Sequence, residues 1–140
     1  MPFMDESNGA LTLSKKCVLT ARMPMGRVLA ALRVLAGSAA EMEDKGIIPF
    51  PACAVEGGQI APIAFLEEGL LMAVSLSAVS VGAKPQATAE AQRAFLFSLF
   101  HCKDPCPDTQ RTCHLACSFG SVMISTDPRT GRALAHLSYR

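Results

Sequence analysis

Residues 121–139, SVMISTDPRTGRALAHLSY, carry the clearest local folding signal of the 140-residue chain. The first part, residues 121–126, is apolar and rich in β-branched side chains. Residues 127–131, DPRTG, combine the side chains that favour a tight turn. Residues 132–139 can return beside the first part as its partner strand. The sequence therefore predicts a β-hairpin near the C-terminus.

Two helices are predicted upstream of this hairpin. Residues 25–45 place apolar side chains at helical spacing, following Pro24, which the first turn of a helix tolerates. Gly46 is a natural end for that helix. Residues 86–100 are rich in alanine and predict a second helix with more than one apolar side.

Residues 47–83 between the helices favour a β-meander. The loop 67–69 resembles a hairpin turn, and residues 72–78 alternate between apolar and serine side chains, which is typical of a half-buried strand. Pro62 has no amide hydrogen to donate, so residues 60–66 are expected to form an edge strand at best. The rival interpretation is a helix over residues 63–81, in which Gly69 would cost roughly 1 kcal/mol relative to alanine.

The predicted fold is a small single α+β domain over residues 1–140. An N-terminal segment, 1–23, contains a weak hairpin signal that turns at Lys15 and Lys16. Residues 24–100 form the helix, the meander and the second helix. Residues 101–140 form a cysteine-rich loop followed by the C-terminal hairpin.

Composition narrows the classes of partner. Thirteen Lys and Arg against twelve Asp and Glu leave a formal net charge of +1, so nothing in the composition indicates nucleic acid as a partner. The longest charge-free apolar run, residues 69–83, is shorter than the roughly 18 residues of a spanning helix, and no membrane span is expected. Because the N-terminus carries Asp5 rather than a basic targeting segment, we expect an intracellular, cytoplasmic protein.

Four of the six cysteines are clustered: Cys102, Cys106, Cys113 and Cys117. Thiolates at this density are soft ligands for zinc or an iron–sulfur cluster, so the sequence predicts a structural four-cysteine metal loop. Two alternatives stay open. The four thiols could form two disulfides, whose pairing the sequence does not define, or they could be unligated small hydrophobic side chains. Cys17 and Cys53 are isolated in the sequence and are predicted to be core residues.

One stretch carries a family resemblance. CHLACSFG at 113–120 and DPRTGRAL at 127–134 are similar to ferredoxin-like iron–sulfur subunits of multi-subunit oxidoreductases, in which a C-x3-C-P-F-G run leads into a hairpin turning at D-P-x-T-G. The resemblance implies a cluster held by Cys113 and Cys117 and an electron-transfer role. Pro107 and Gln110 stand where the bacterial-type run has its first two cysteines, and Ser118 replaces the proline. The repeated C-x3-C spacing also resembles small mitochondrial intermembrane-space chaperones, whose two cysteine pairs lie further apart.

Three functional hypotheses follow. The first is a non-enzymatic intracellular protein that binds a protein partner, in which the cysteine loop is either a structural metal site or part of the core. The second is a degenerate iron–sulfur electron-transfer subunit. The third is a chain without a selected function, which the unfavourable helix-end charges Arg27, Glu41, Glu43 and Asp44 favour. The sequence predicts neither a catalytic residue nor an oligomeric state.

Overall fold

A computed structural model describes residues 3–5, 7–36, 46–84, 87–100, 112–127 and 129–140 of the protein. Within these ranges it contains two α-helices and nine β-strands. The helices are α1 (Met25–Ala36) and α2 (Ala89–Leu99), and the strands are β1 (Leu11–Ser14), β2 (Cys17–Leu19), β3 (Ile47–Pro49), β4 (Cys53–Val55), β5 (Gly58–Glu67), β6 (Leu70–Val81), β7 (Thr112–Cys117), β8 (Gly120–Asp127) and β9 (Arg132–Tyr139).

Seven of these strands form one antiparallel sheet. The order is β3-β5-β6-β9-β8-β7, and β4 pairs with β5 next to β3, while β1 and β2 form a separate hairpin. The mixed α+β class is confirmed, together with the hairpin that turns at Lys15–Lys16 and the antiparallel pairing of β8 with β9. The sheet is larger than predicted because the strands on either side of α2 join through β6 and β9. The rival helix over residues 63–81 is wrong.

The two faces of the sheet differ in what covers them. Helix α2 packs on β6, β8 and β9 and buries Phe95, Leu96 and Phe97 there. Facing it, Val74, Leu76 and other alternate strand residues are fully buried. We call this the helix side. The same core includes buried side chains of α1 and of the β1–β2 hairpin.

Both predicted helices begin close to their expected positions. Helix α1 starts directly after Pro24, and residues 37–45 of its predicted extent lie outside the described residues, as do the charges at 41, 43 and 44. Thr88 caps α2, since its hydroxyl oxygen accepts a hydrogen bond from the Ala91 amide at 3.1 Å. Residue 86, at the predicted start of that helix, also lies outside the described residues.

The prediction that Pro62 restricts its run to a sheet edge is wrong, and the pairing explains why. Strand β5 has β6 on one side and both β3 and β4 on the other. On that second side β3 ends opposite Ile63 and β4 begins opposite Ile60, so Pro62 lies in the gap between them. Its carbonyl accepts a hydrogen bond from the Phe50 amide at 2.8 Å, and its missing N–H is not needed there.

The prediction of a cysteine-rich loop that extends to Cys117 is wrong at its C-terminal end. Thr112–Cys117 is strand β7, the outer strand next to β8, while residues 101–111 lie outside the described residues. Cys113, Leu115 and Cys117 face the helix side, and His114 and Ala116 face away. This alternation is itself a strand pattern.

A buried hydrogen bond holds the N-terminal segment against the end of the sheet. The Tyr139 hydroxyl donates to the carbonyl oxygen of Gly9 at 2.8 Å, and burial raises the pKa of Tyr139. Gly9 has φ +75°, and a Cβ there would lie 2.5 Å from the Phe119 ring. A glycine is therefore required at this position, because any side chain would be strained and would clash.

No helix among the described residues is long and apolar enough to cross a membrane.

We expect Tyr139→Phe to lower the free energy of unfolding by about 1–3 kcal/mol, because the buried Gly9 carbonyl loses its donor while the ring packing stays. Urea denaturation followed by circular dichroism measures the change. An unchanged free energy of unfolding would show that water replaces the hydroxyl.

Candidate interaction surfaces

A cavity of about 820 Å³ opens between the β1–β2 hairpin, the β4–β5 turn and the last turn of α2. The buried side chains Phe3, Leu13 and Leu99 line it, and Val18 and Val55 contribute further apolar surface. We call this cavity the groove. Its volume lies in the range of natural ligand pockets, and its lining is predominantly apolar, as theirs is.

Polar groups lie around the mouth of the groove. Lys15 and Glu56 are exposed side chains of opposite charge, each in the turn of one hairpin. Strand β4 borders the groove with the exposed Ala54, and within the described residues its only strand partner is β5. An edge strand of this kind offers main-chain hydrogen bonds to an added strand.

On the face of the sheet opposite the helix side, three rows of residues each cross five strands, and we call these three rows the outer face. The next pair on this side, the exposed Arg132 of β9 opposite Asp127 of β8, lies beyond the rows. Read from β5 to β7, the rows are Phe65, Ala73, Ser138, Ser121 and Ala116; Ile63, Ser75, His136, Met123 and His114; and Ala61, Ser77, Leu134, Ser125 and Thr112. None of these residues is Asp, Glu, Lys or Arg. Their apolar members neither belong to the core nor pack against it. Leu134 at the centre of one row is 39 % exposed.

A hydrogen bond between facing strands lies in the middle row of the outer face. The Oγ atom of Ser75 and Nδ1 of His136 are 2.8 Å apart. The His136 ring also lies 5.8 Å from the ring of Phe65, and burial lowers the pKa of His136. The neutral imidazole is therefore the favoured form near neutral pH.

A serine bonded to a histidine is also the nucleophile–base arrangement of many hydrolases. Such sites contain an acidic group that orients the histidine, whereas the described residues of the outer face include no carboxylate. Ser75 lies inside β6, which pairs with β5 and β9, so the neighbouring amides are engaged in the sheet rather than aimed at an oxyanion. The hydrogen bond between Ser75 and His136 therefore has a structural role, which is to join β6 to β9.

Of the predicted metal ligands, the structure describes Cys113 and Cys117, and it does not bring these two thiols together. Cys102 and Cys106 lie outside the described residues, and the described residues contain no group of three or more His, Cys, Asp or Glu side chains suited to a metal. Cys113 and Cys117 are four residues apart on β7, which separates their Cα atoms by about 13 Å. Two thiolates on one zinc lie at most about 4.6 Å apart. The four-cysteine site stays a prediction, and it would require β7 to change.

The buried Cys113 has a cationic neighbour that sequence reasoning missed. The Arg93 guanidinium donates to its Sγ at 3.0 Å and lies 5.5 Å from the Phe97 ring centre. Arg93 is 9 % exposed and belongs to α2, so this contact joins the helix to β7. An arginine in an apolar helix face was the only sequence signal for it.

Cys17 and Cys53 are buried free thiols, as predicted for core residues. Burial raises the pKa of Cys17 to about 11, and the nearby Cys53 raises it further. Burial also raises the pKa of Cys53. Both thiols are therefore poor nucleophiles and packing residues.

Comparison with known proteins gives no match, whether with protein-family models, curated proteins or solved structures.

The extended form of β7 leads to a test of the metal prediction. We expect that Cys113→Ser and Cys117→Ser do not both lower the content of bound zinc or iron, because in β7 the two thiols cannot bind the same ion. Elemental analysis and a thiol count of anaerobically purified protein measure this. Loss of about one metal per chain from both variants alike would support the four-cysteine site instead.

The Ser75–His136 pair leads to a prediction about acid stability. Because the folded-state pKa of His136 is below its ordinary value, the unfolded chain binds the proton more readily. The free energy of unfolding should therefore fall as the pH drops through about 6.5, and His136→Gln should reduce that fall. Urea denaturation across a pH series measures it, and the two proteins compared at about pH 8 isolate the lost hydrogen bond. Equal pH dependence in both would contradict the assignment.

Proposed function

We propose that the protein is a non-enzymatic binding protein that holds an extended, largely apolar segment of a partner polypeptide in the groove. The observation that carries the proposal is the open cavity of about 820 Å³ with an apolar lining. An exposed apolar concavity loses water-contacting area when an apolar segment fills it, which is the main driving force for such binding.

The borders of the groove favour a polypeptide over a small apolar molecule. Strand β4 runs along it, with Ala54 exposed, and an extended segment can add main-chain hydrogen bonds to such an edge. Lys15 and Glu56 provide one cation and one anion at the mouth. A segment that carries an acidic and a basic residue beside its apolar side chains matches both charges.

Hydroxyl groups also line the groove without making it polar. Thr12, Ser14 and Ser98 border it, and the Ser98 hydroxyl already donates to the Phe95 carbonyl at 2.6 Å. Covering a satisfied hydroxyl costs little free energy. The floor can therefore take apolar side chains, while polar groups near the rim fix their register.

Val18 supplies the test of this proposal, since it lines the groove and is 38 % exposed. Random peptides of about seven residues, which span roughly 23 Å when extended, are displayed on phage and selected on the immobilised protein. We expect the enriched peptides to be apolar at alternate positions. In Val18→Asp their affinity should fall at least tenfold, because a carboxylate must lose water against apolar side chains. Fluorescence anisotropy of a labelled peptide measures it.

Leu134→Asp is the matched control, because Leu134 is 39 % exposed and lies on the outer face. It should bind the selected peptides with the affinity of the parent. Peptides selected on Lys15→Glu should no longer show the preference for an acidic residue at one end that peptides selected on the parent show. Peptides that bind Val18→Asp and the parent with equal affinity would overturn the proposal that the groove is the binding site. Binding of an apolar dye that Val18→Asp abolishes, without any enriched peptide, would assign the groove to a small molecule.

A further inference from the structure

We infer that the outer face is the interface of a symmetric dimer, in which it packs against the outer face of a second copy of this chain. The inference rests on the charge, the size and the polar groups of that face, and it does not depend on the groove.

The absence of charge from the three described rows makes the outer face compatible with itself. In a two-fold symmetric interface the same patch of both copies meets, so the patch must be complementary to itself, and a patch carrying charge of one sign would repel its copy. Lys, Arg, Asp and Glu are absent from all three rows, in a chain of which 18 % is charged. The charged side chains of a charged partner would lose hydration on this face without gaining an ion pair. A second copy has no charged side chain in these rows, so it has no such hydration to lose.

The area of the outer face reaches the lower end of the range for specific interfaces. The rows continue onto β3, where Ile47 lies opposite Phe65 and is 42 % exposed. Six strands about 4.8 Å apart and three rows about 6.7 Å apart project to roughly 500–600 Å². Two copies would therefore bury roughly 1,000–1,200 Å² in total, compared with the roughly 1,200–2,000 Å² of specific, stable interfaces.

The distribution of side-chain sizes suits the packing of one sheet on another. Ile63, Phe65, Met123 and Leu134 stand among alanines and serines, and large side chains of one copy can enter the spaces above small ones of the other. Leu134 is 39 % exposed and the other three are partly exposed, so contact with a second copy would remove further apolar area from water.

Two pairs of polar groups on the outer face are already hydrogen-bonded within the chain. The Ser75 hydroxyl is bonded to His136, and the Ser77 hydroxyl donates to the Ala61 carbonyl at 3.5 Å. Burying polar groups costs free energy chiefly when they lose a partner. These residues can therefore enter an interface without being left unsatisfied.

The test is the mass of the full chain in solution, measured by light scattering under reducing conditions so that its thiols form no cross-links. We expect the parent to have the mass of two chains and Leu134→Asp the mass of one, because the substitution would bury a carboxylate in an interface whose three rows contain no cation. Ser125→Glu on the adjacent strand β8 should give the same result. Val18→Asp, on the groove, should remain a dimer. Since the three rows contain no Lys, Arg, Asp or Glu, the parent dimer should also persist in high salt.

Circular dichroism melts establish that each variant is folded before its mass is interpreted. A parent that has the mass of one chain at its highest soluble concentration would overturn the inference. Dimers in both Leu134→Asp and Ser125→Glu would overturn it too, by placing the interface elsewhere. A monomeric parent that still binds peptides sensitive to Val18→Asp would leave the proposed function standing.

Discussion

The pairing of β6 with β9 is the constraint on which the rest of the structure depends. Hairpins β5–β6 and β8–β9 are each local in sequence, and either one alone would present an unsatisfied strand edge. When β6 pairs with β9, Val74 lies opposite Leu137 and Leu76 lies opposite Ala135, and all four residues are fully buried. Helix α2 lies between the two hairpins in the chain and packs across the joined strands, so it closes over a core that neither hairpin supplies.

The same pairing creates the outer face. Successive side chains of a strand point to opposite sides, so every residue buried under α2 is followed by one that faces away. Ser75 and His136 face each other only because Val74 and Leu137 do. A sheet with helices on one side must expose its other side, and antiparallel sheets usually solvate that side with polar residues. Here Phe65, Ile63 and Leu134 take positions that charged residues commonly occupy.

Local sequence signals predicted much of the fold and almost none of its surfaces. Alternation over residues 72–78 and the DPRTG turn involve neighbours in the chain, and they predicted β6 and the β8–β9 hairpin. The gap beside Pro62 depends on where β3 ends and β4 begins, which no pattern within β5 contains. The alternation in residues 113–117 is short and includes two cysteines, so the same residues also fit a metal-binding loop. The groove and the outer face depend on strand order, so they follow only from three-dimensional pairing.

The two surfaces lie on opposite sides of the sheet, and this arrangement bears on how they work together. Leu99 of α2 and Leu13 of the β1–β2 hairpin line the groove on the helix side, whereas Leu134 and His136 belong to the outer face. A dimer formed through the outer face therefore leaves both grooves open. Two grooves on one rigid body can hold two segments of the same partner, and the second then binds at high effective concentration. Modest affinity in each groove would be sufficient for a stable complex.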